Sequence, residues 1–352
     1  MYLRNSWYVA LWGHELAEKP IDRTILGENI VFFRTTDGNV VALEDRCPHR
    51  HLPLHMGSVV GDAIKCRYHG MEIDRGGRCI LVPSQKAVPP YARVRAYPAI
   101  ERYGWIWVWT GDPARADATA IPDFGRLTDS QHAAVGTTNH VRASYQLVVD
   151  NLMDLSHVGF VHTSTIGNSQ MGQNGTIKVE TTPTGVRVTR WVIDCPPPPT
   201  YVKTGRLPNG VNIDRWQIID FLPPSFVQIH VGGAETGTGA PEGRLAHGLN
   251  LWVMNAMTPE TAESTHYFWA AVRDYAISDP DAGALIFDQV ALAFTEDKEV
   301  LEAQQTVIAR RGDSWDVSFP ADAGSAKSRR LLKRLIDTET SGTVEATSGA
   351  PA

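Results

Sequence analysis

The sequence predicts an α+β fold in which an all-β unit precedes a mixed one, and three observations carry that expectation. Between residues 30 and 110 short apolar runs alternate with glycine-marked turns and no helical period interrupts them. Two later stretches, Tyr145 to His157 and about Pro280 to Arg310, repeat apolar residues at helical spacing. Between those helices lies a series of strand-like runs. With 352 residues, 43% of them hydrophobic, the chain has material for two cores without covalent staples. The expected division is 1–112 and 113–337, with 338–352, rich in Thr, Ser, Gly and Ala, as a disordered tail.

Taken in order, Ile30 to Arg34 and Val40 to Leu43 flank Thr36-Asp37-Gly38-Asn39, a hairpin signal in which glycine supplies the positive φ of a tight turn. Further short strands are read at Ile64 to Tyr68, Cys79 to Val82, Val94 to Tyr97 and Trp105 to Trp109. After a polar connection Leu147, Leu152, Leu155 and Val158 mark the first helix. Strands are expected at 176 to 193, Arg215 to Phe221, Phe226 to Val231, Leu249 to Met254 and His266 to Val272, with the prolines at 196 to 199 and the glycine-rich 232 to 243 as loops. No internal repeat is present.

Charge and cysteine usage exclude several classes. Lys and Arg number 33 against 39 Asp and Glu, a net charge of -6, which argues against a nucleic acid or an anionic membrane as partner. The N-terminal run Trp7 to Trp12 is too short for a signal-peptide core, and Trp105 to Trp109 falls far below the roughly 20 residues of a membrane helix, so a cytoplasmic protein is expected. Four cysteines are too sparse for a disulfide scaffold.

Cys47-Pro48-His49 is followed after sixteen residues by Cys66-Arg67-Tyr68-His69. Two Cys and two His in matched short pairs make a four-ligand metal site, and two occupants fit it: structural zinc, or a [2Fe-2S] cluster with both Cys on one iron and both His on the other. One Cys and one His in each loop favour the cluster, because each loop then serves both irons. His51 and His55 fall outside the pattern and read as loop residues. Cys79 and Cys195 have no partner at ligand spacing and read as packing residues.

A second constellation runs Asp150-Asn151-Leu152-Met153-Asp154-Leu155-Ser156-His157, with His162 beyond. On an ideal helix residues five apart point about 140° from each other, so the pair converges only if the helix is distorted or ends near Gly159. On the last helix Phe287, Val290, Phe294, Asp297 and Leu301 keep a three-to-four residue rhythm, placing Asp297 on the apolar stripe while Glu296 and Glu299 turn away. A carboxylate facing a core needs a partner or a metal. Two His and one carboxylate compose the facial triad of non-haem Fe(II) oxygenases.

The first constellation resembles the Rieske motif, and with both present the chain resembles the oxygenase component of Rieske non-haem iron oxygenases over essentially its whole length, in the branch of the vanillate and dicamba O-demethylases and the toluenesulfonate methyl-monooxygenase. The strings that carry the resemblance are Cys47 to Arg50, Cys66 to Gly70, Asp150 to Leu155 before His157, Asp214 to Gln217 and Thr258 to Thr261. It implies a Rieske iron-sulfur domain and a catalytic domain with an antiparallel sheet covered by helices. It further implies Cys47, His49, Cys66 and His69 as [2Fe-2S] ligands and His157, His162 and Asp297 as ligands of a mononuclear Fe(II). Asp154 matches the acid that bridges to a cluster histidine of the neighbouring subunit in a head-to-tail homotrimer, and Asn151 is placed in the same network. The implied activity is a monooxygenase that takes electrons from a flavin and iron-sulfur NAD(P)H reductase and hydroxylates an aromatic methoxy group with O2, releasing formaldehyde; an aryl methyl group is the alternative. An acidic aromatic substrate would need a donor, and Asn255 is a candidate. Where relatives show Arg-x-Ala-Pro-Leu-Ser, this chain has Arg50 to His55, which alters the surface open to a reductase. A Rieske electron carrier and a zinc-stabilised binding protein are the other classes, and the roughly 240 residues after the cluster domain weigh against the carrier.

Overall fold

A computed structural model describes residues 1–162, 176–203, 210–312 and 317–348. The chain divides into two units, Met1–Asp123 with Thr258–Ala262, and Phe124–Met257 with Glu263–Ala352. The first unit is all β: β1 (Trp7–Trp12), β2 (Ile21–Ile25), β3 (Glu28–Arg34), β4 (Val40–Glu44), β5 (Ser58–Val60), β6 (Ala63–Lys65), β7 (Glu72–Asp74), β8 (Cys79–Leu81), β9 (Ala96–Tyr97), β10 (Ala99–Arg102) and β11 (Trp105–Trp109). They form three sheets ordered β1-β11-β10, β2-β3-β4-β9 and β5-β6-β7-β8.

Strand β3 explains how so short a unit holds two cores. Side chains alternate across a strand, so Ile30 and Phe32 join Tyr8, Leu11, Ile106 and Val108 on one face. Val31 and Phe33 join Leu43, Ile64, Ile73, Cys47 and Cys66 on the other. The turn into β4 has Gly38 at φ 83, as the hairpin signal requires. The run Trp7–Trp12, weighed in the sequence only as a signal peptide, is strand β1 and pairs antiparallel with β11. Apolar throughout, it has no period-two alternation by which to recognise a strand.

The second unit holds β12 (Ala133–Val141), β13 (Thr176–Thr181), β14 (Val186–Cys195), β15 (Ile213–Leu222), β16 (Phe226–Glu235), β17 (Leu249–Thr261) and β18 (Ser264–Arg273). They form one seven-stranded antiparallel sheet in the order β12-β18-β17-β16-β15-β14-β13. Helices α1 (Tyr145–Met153), α4 (Pro280–Arg311) and α5 (Ala323–Ser348) pack against it, and α2 (Val158–Val161) and α3 (Pro199–Lys203) are short. Strand β12, read in the sequence as connection, is poor in β-formers and takes its conformation from nine paired residues of β18. Within the expected tail α5 continues to Ser348, with the Thr338, Thr340 and Ser341 hydroxyls returned to carbonyls four residues back, and 349–352 lie outside the described residues. None of the described helices is long and apolar enough to cross a membrane.

Candidate metal centres and cavity

The first four-ligand set lies on two loops of the first unit, one after β4 and one between β6 and β7. The loops share a backbone pattern. Cys47 N donates to Leu52 O at 2.8 Å and His51 N to Cys47 O at 3.0 Å; Cys66 N donates to Met71 O at 2.8 Å and Gly70 N to Cys66 O at 3.0 Å. Each loop turns through a left-handed residue four past its cysteine, His51 at φ 57 and Gly70 at φ 72. Cys47 and Cys66 are buried, while His49 and His69 are exposed with ring centroids 4.6 Å apart. Burial pushes the Cys47 thiol up, and the adjacent Cys66 adds to it, so a thiolate there needs a cation beside it. A buried sulfur pair with an exposed nitrogen pair is the donor set that a [2Fe-2S] centre of mixed ligation takes. Cys79 and Cys195 place Sγ against the carbonyls of Leu81 and Val192, as packing residues do. His55 is tied to Asp45 through Nδ1 at 2.5 Å.

The second set converges because the first helix breaks. Ser144 caps α1 by accepting from Gln146 N, and the helix stops at Met153, with Asp154 extended at φ -97, ψ 124. A new helical turn, α2, then carries His157 at its start and His162 just past its end, which brings their ring centroids to 5.2 Å. His157 Nε2 lies 3.5 Å and His162 Nε2 3.1 Å from Asp297 Oδ1. Donors at right angles on one ion with bonds of about 2.1 Å stand about 3 Å apart, so the three atoms fit a single metal.

Each imidazole presents Nε2 inward and Nδ1 to a carboxylate. Asp154 Oδ2 stands 3.7 Å from His157 Nδ1, facing it from beyond hydrogen-bond length, and the same carboxylate accepts from the Ser156 amide at 2.6 Å and hydroxyl at 3.0 Å. The sequence placed Asp154 on the helical face of His157; it reaches the ring instead from the extended residue that ends α1. Burial alone would raise the Asp154 carboxyl, but His157 and the two Ser156 donors outweigh it and hold it below its ordinary range. Glu296 Oε2 sits 2.8 Å from His162 Nδ1. Burial pulls His162 down, yet Asp297 and Glu296 together outweigh it and its pKa is raised. Glu296, expected to turn away, is thus half-buried against a ligand, whereas Glu299 is exposed. Asn151 Nδ2 donates to Asp297 Oδ1 at 3.0 Å, holding the ligand acid rather than Asp154.

These groups open on a cavity of about 120 Å³. Its floor is one face of the sheet: Ile219, Ile229 and Val253 form a transverse row, and Gln217, Val231 and Leu251 the next. Ile286, Val290, Ala293 and Phe294 of α4 line it from above Asp297. An apolar cavity of about 150 Å³ admits a benzene ring, and this one, somewhat smaller, is on the scale of one ring and no more. The aromatic residues singled out in the sequence, Trp216, Phe221, Phe226, Phe268 and Trp269 among them, are fully buried core and do not line it. Asn255 is fully buried as well, donating to the Val227 and Val253 carbonyls and accepting from the Tyr267 hydroxyl. It is not the substrate donor.

Residues 6–97 match the Rieske [2Fe-2S] domain family and residues 141–338 the vanillate O-demethylase oxygenase C-terminal domain. The chain is 39% identical to a putative toluene-4-sulfonate monooxygenase system iron-sulfur subunit of Comamonas testosteroni, with 97% of this chain and 99% of that one covered. It is 34% identical to a vanillate O-demethylase oxygenase subunit of a Pseudomonas strain, covering 96% of each. The crystal structure of dicamba monooxygenase bound to dicamba superposes with a TM-score of 0.88 at 33% identity, covering 97% of this chain and 99% of that one. The [2Fe-2S] domain is therefore present, and His157, His162 and Asp297 form a non-haem iron site analogous to that of dicamba monooxygenase.

Proposed function

The chain belongs to the Rieske non-haem iron oxygenases of the vanillate and dicamba O-demethylase branch, and from that premise we propose that it is a terminal monooxygenase that hydroxylates an aryl methoxy carbon. One observation carries this reading: the two-His, one-carboxylate set opens on an apolar cavity with room for one ring. We assign Cys47, His49, Cys66 and His69 to the cluster, within an electron-transfer domain of 1–112 and a catalytic domain of 113–337. When bound, the cluster passes electrons singly and the mononuclear iron activates O2.

The chain's own residues position and shield. Asp154 and Glu296 orient the two imidazoles from outside, Asn151 fixes Asp297, and the aliphatic walls exclude water. Asp154 is also the residue we place at a subunit boundary, bridging to a cluster histidine of a neighbouring copy in a head-to-tail homotrimer. Electrons come from NAD(P)H through a flavin and iron-sulfur reductase, and we assign the enzyme to the cytoplasm with it. The stoichiometry closes: ArOCH3, O2, NAD(P)H and a proton give ArOCH2OH, water and NAD(P)+. The hemiacetal then splits to a phenol and formaldehyde.

Similarity at 39% identity to a toluene-4-sulfonate monooxygenase subunit favours a second reading, hydroxylation of an aryl methyl group to a stable benzylic alcohol. Offering oxygenase and reductase vanillate and 4-methylbenzenesulfonate in parallel separates the two. Formaldehyde appearing one for one with NADH consumed from vanillate is the expected result; turnover of the methyl substrate alone overturns it.

A further inference from the structure

The cavity has a second polar corner that the iron chemistry does not use. Strand β15 presents Arg215, Gln217 and Ile219 to the cavity, and among the described residues that line it Arg215 is the one arginine or lysine. Arg215 is only 5% exposed, with its guanidinium 5.7 Å from the centroid of the Tyr201 ring on α3. Its strand neighbour Asp214 lies on the opposite face, where its carboxylate accepts from the amides of Asp194 and Gly237. Across the pairing with β14, Arg190 stands beside Gln217, is 3% exposed, and donates Nε to Gln217 Oε1 at 2.7 Å and Nη1 to the Leu155 carbonyl at 3.1 Å. Gln217 thus spends its carbonyl on Arg190, and what it keeps for the cavity is the NH2 donor.

Two buried guanidinium groups share this corner. Burial, and then the charge of Arg215, pull Arg190 down to about 10. Beyond the iron-facing Asp154, His157, His162 and Asp297, the lining is apolar but for Thr200, Tyr201, Gln289 and this corner, where a guanidinium pair favours an incoming negative charge and a planar guanidinium fits an oxyanion bidentately.

We propose that Arg215, with the Gln217 NH2 beside it, anchors the ring-borne oxyanion, carboxylate or sulfonate, of an aromatic acid, and so selects acids over neutral arenes. The inference rests on the reading of this cavity as the seat of the arene and adds the chemical class that enters it. Arg190 acts through Gln217 as a positioning residue.

The test is calorimetric titration of the resting holoenzyme with benzoate and benzenesulfonate, each against its neutral partner, benzamide and benzenesulfonamide. The wild type is expected to prefer at least one anion. Arg215→Gln should weaken that anion by about 10- to 150-fold, the range of a hydrogen bond to a charged group, with little change for the amides. Gln217→Leu should weaken it less. Equal affinity of the wild type for acid and amide overturns the anchor, as does a preference that survives in Arg215→Gln. Visible absorbance of the cluster and the unfolding temperature report whether Arg215→Gln folds; if it does not, the wild-type preference and Gln217→Leu decide. Arg215-dependent anion binding without oxygen-dependent turnover of any methoxyarene leaves the anchor standing and removes the demethylase reading. Demethylation of neutral methoxyarenes as efficient as that of the acids does the reverse.

Discussion

A histidine that binds metal through Nε2 leaves Nδ1 for a second partner, and the two ligands face different acids, His162 hydrogen-bonded to Glu296 at 2.8 Å and His157 with Asp154 3.7 Å away. Glu296→Gln keeps an acceptor but removes the charge that makes His162 the better donor. The expected result is Fe(II) affinity weaker by about 10- to 100-fold with the cluster absorbance unaltered, followed by Fe(II) titration of iron-depleted protein. Asp154→Asn should keep both metals while turnover drops by orders of magnitude under an intact reductase supply, and normal turnover would remove the bridging role. Asp154 also sets an acid limb in the iron-depleted protein. Its folded pKa lies below the ordinary carboxylate value, so its stabilisation is complete above that value and is lost as pH falls through the lowered one. Thermal melts across that range should show a shallower acid decline in Asp154→Asn. At this scale the sequence was legible where chemistry is local. Asp297 stood out as an acid on an apolar stripe, but Glu296 was assigned outward from the same helical wheel, which shows where a residue points and not which ring arrives beside it. Arg190 and Arg215 carried a usable signal, arginine at inward positions of alternating strands, that only the pairing of β14 with β15 turns into a site.

The two Cys–His loops are one device built twice, and the left-handed residue four past each cysteine is its hinge. Gly70 stands at φ 72 with Pro83 Cγ 3.1 Å from where a Cβ would lie, so Gly70→Ala meets both backbone strain and a close contact. A cost of about 1 to 2 kcal/mol is expected, read as a lower unfolding temperature and faster loss of the cluster colour. His51→Gly at the matching position of the other loop removes a strain of similar origin but loosens the unfolded chain, and should be close to neutral. The same contrast tells which elements the sequence disclosed. Glycine-marked turns and the spacing of Cys and His are short-range features, so the ligand loops were readable directly. The convergence of His157 and His162 required a helix to stop, and the residue that stops it, Asp154, is an acid whose side chain is engaged by Ser156 rather than a glycine or proline. Strand β12 lacked any local signal because the partner that shapes it lies more than a hundred residues on.

At the scale of the whole chain, each ligand set belongs to one packing unit. Cys47, His49, Cys66 and His69 fall within Met1–Asp123, and His157, His162 and Asp297 within the unit that begins at Phe124. The thiols of Cys47 and Cys66 pack with Phe33, Leu43 and Ile64 of the first unit, whereas Asp297 is buried on α4 beside the cavity of the second. Removing a cluster ligand should therefore abolish one centre without dismantling the other. Cys66→Ser replaces a thiolate with a hydroxyl that is a poor ligand for iron-sulfur chemistry, yet keeps the size and the burial of the site. The expected protein has lost its visible cluster bands, binds one Fe(II) per chain in the second unit, and retains the cavity's affinity for ring ligands while turning over none of them. Because Fe(II) is counted by metal analysis and ring binding by titration, neither readout depends on the electron supply that the variant lacks. Loss of both metals from a chain that still melts cooperatively would mean that the two centres are not independent, and the assignment of one ligand set to each unit would fall with it.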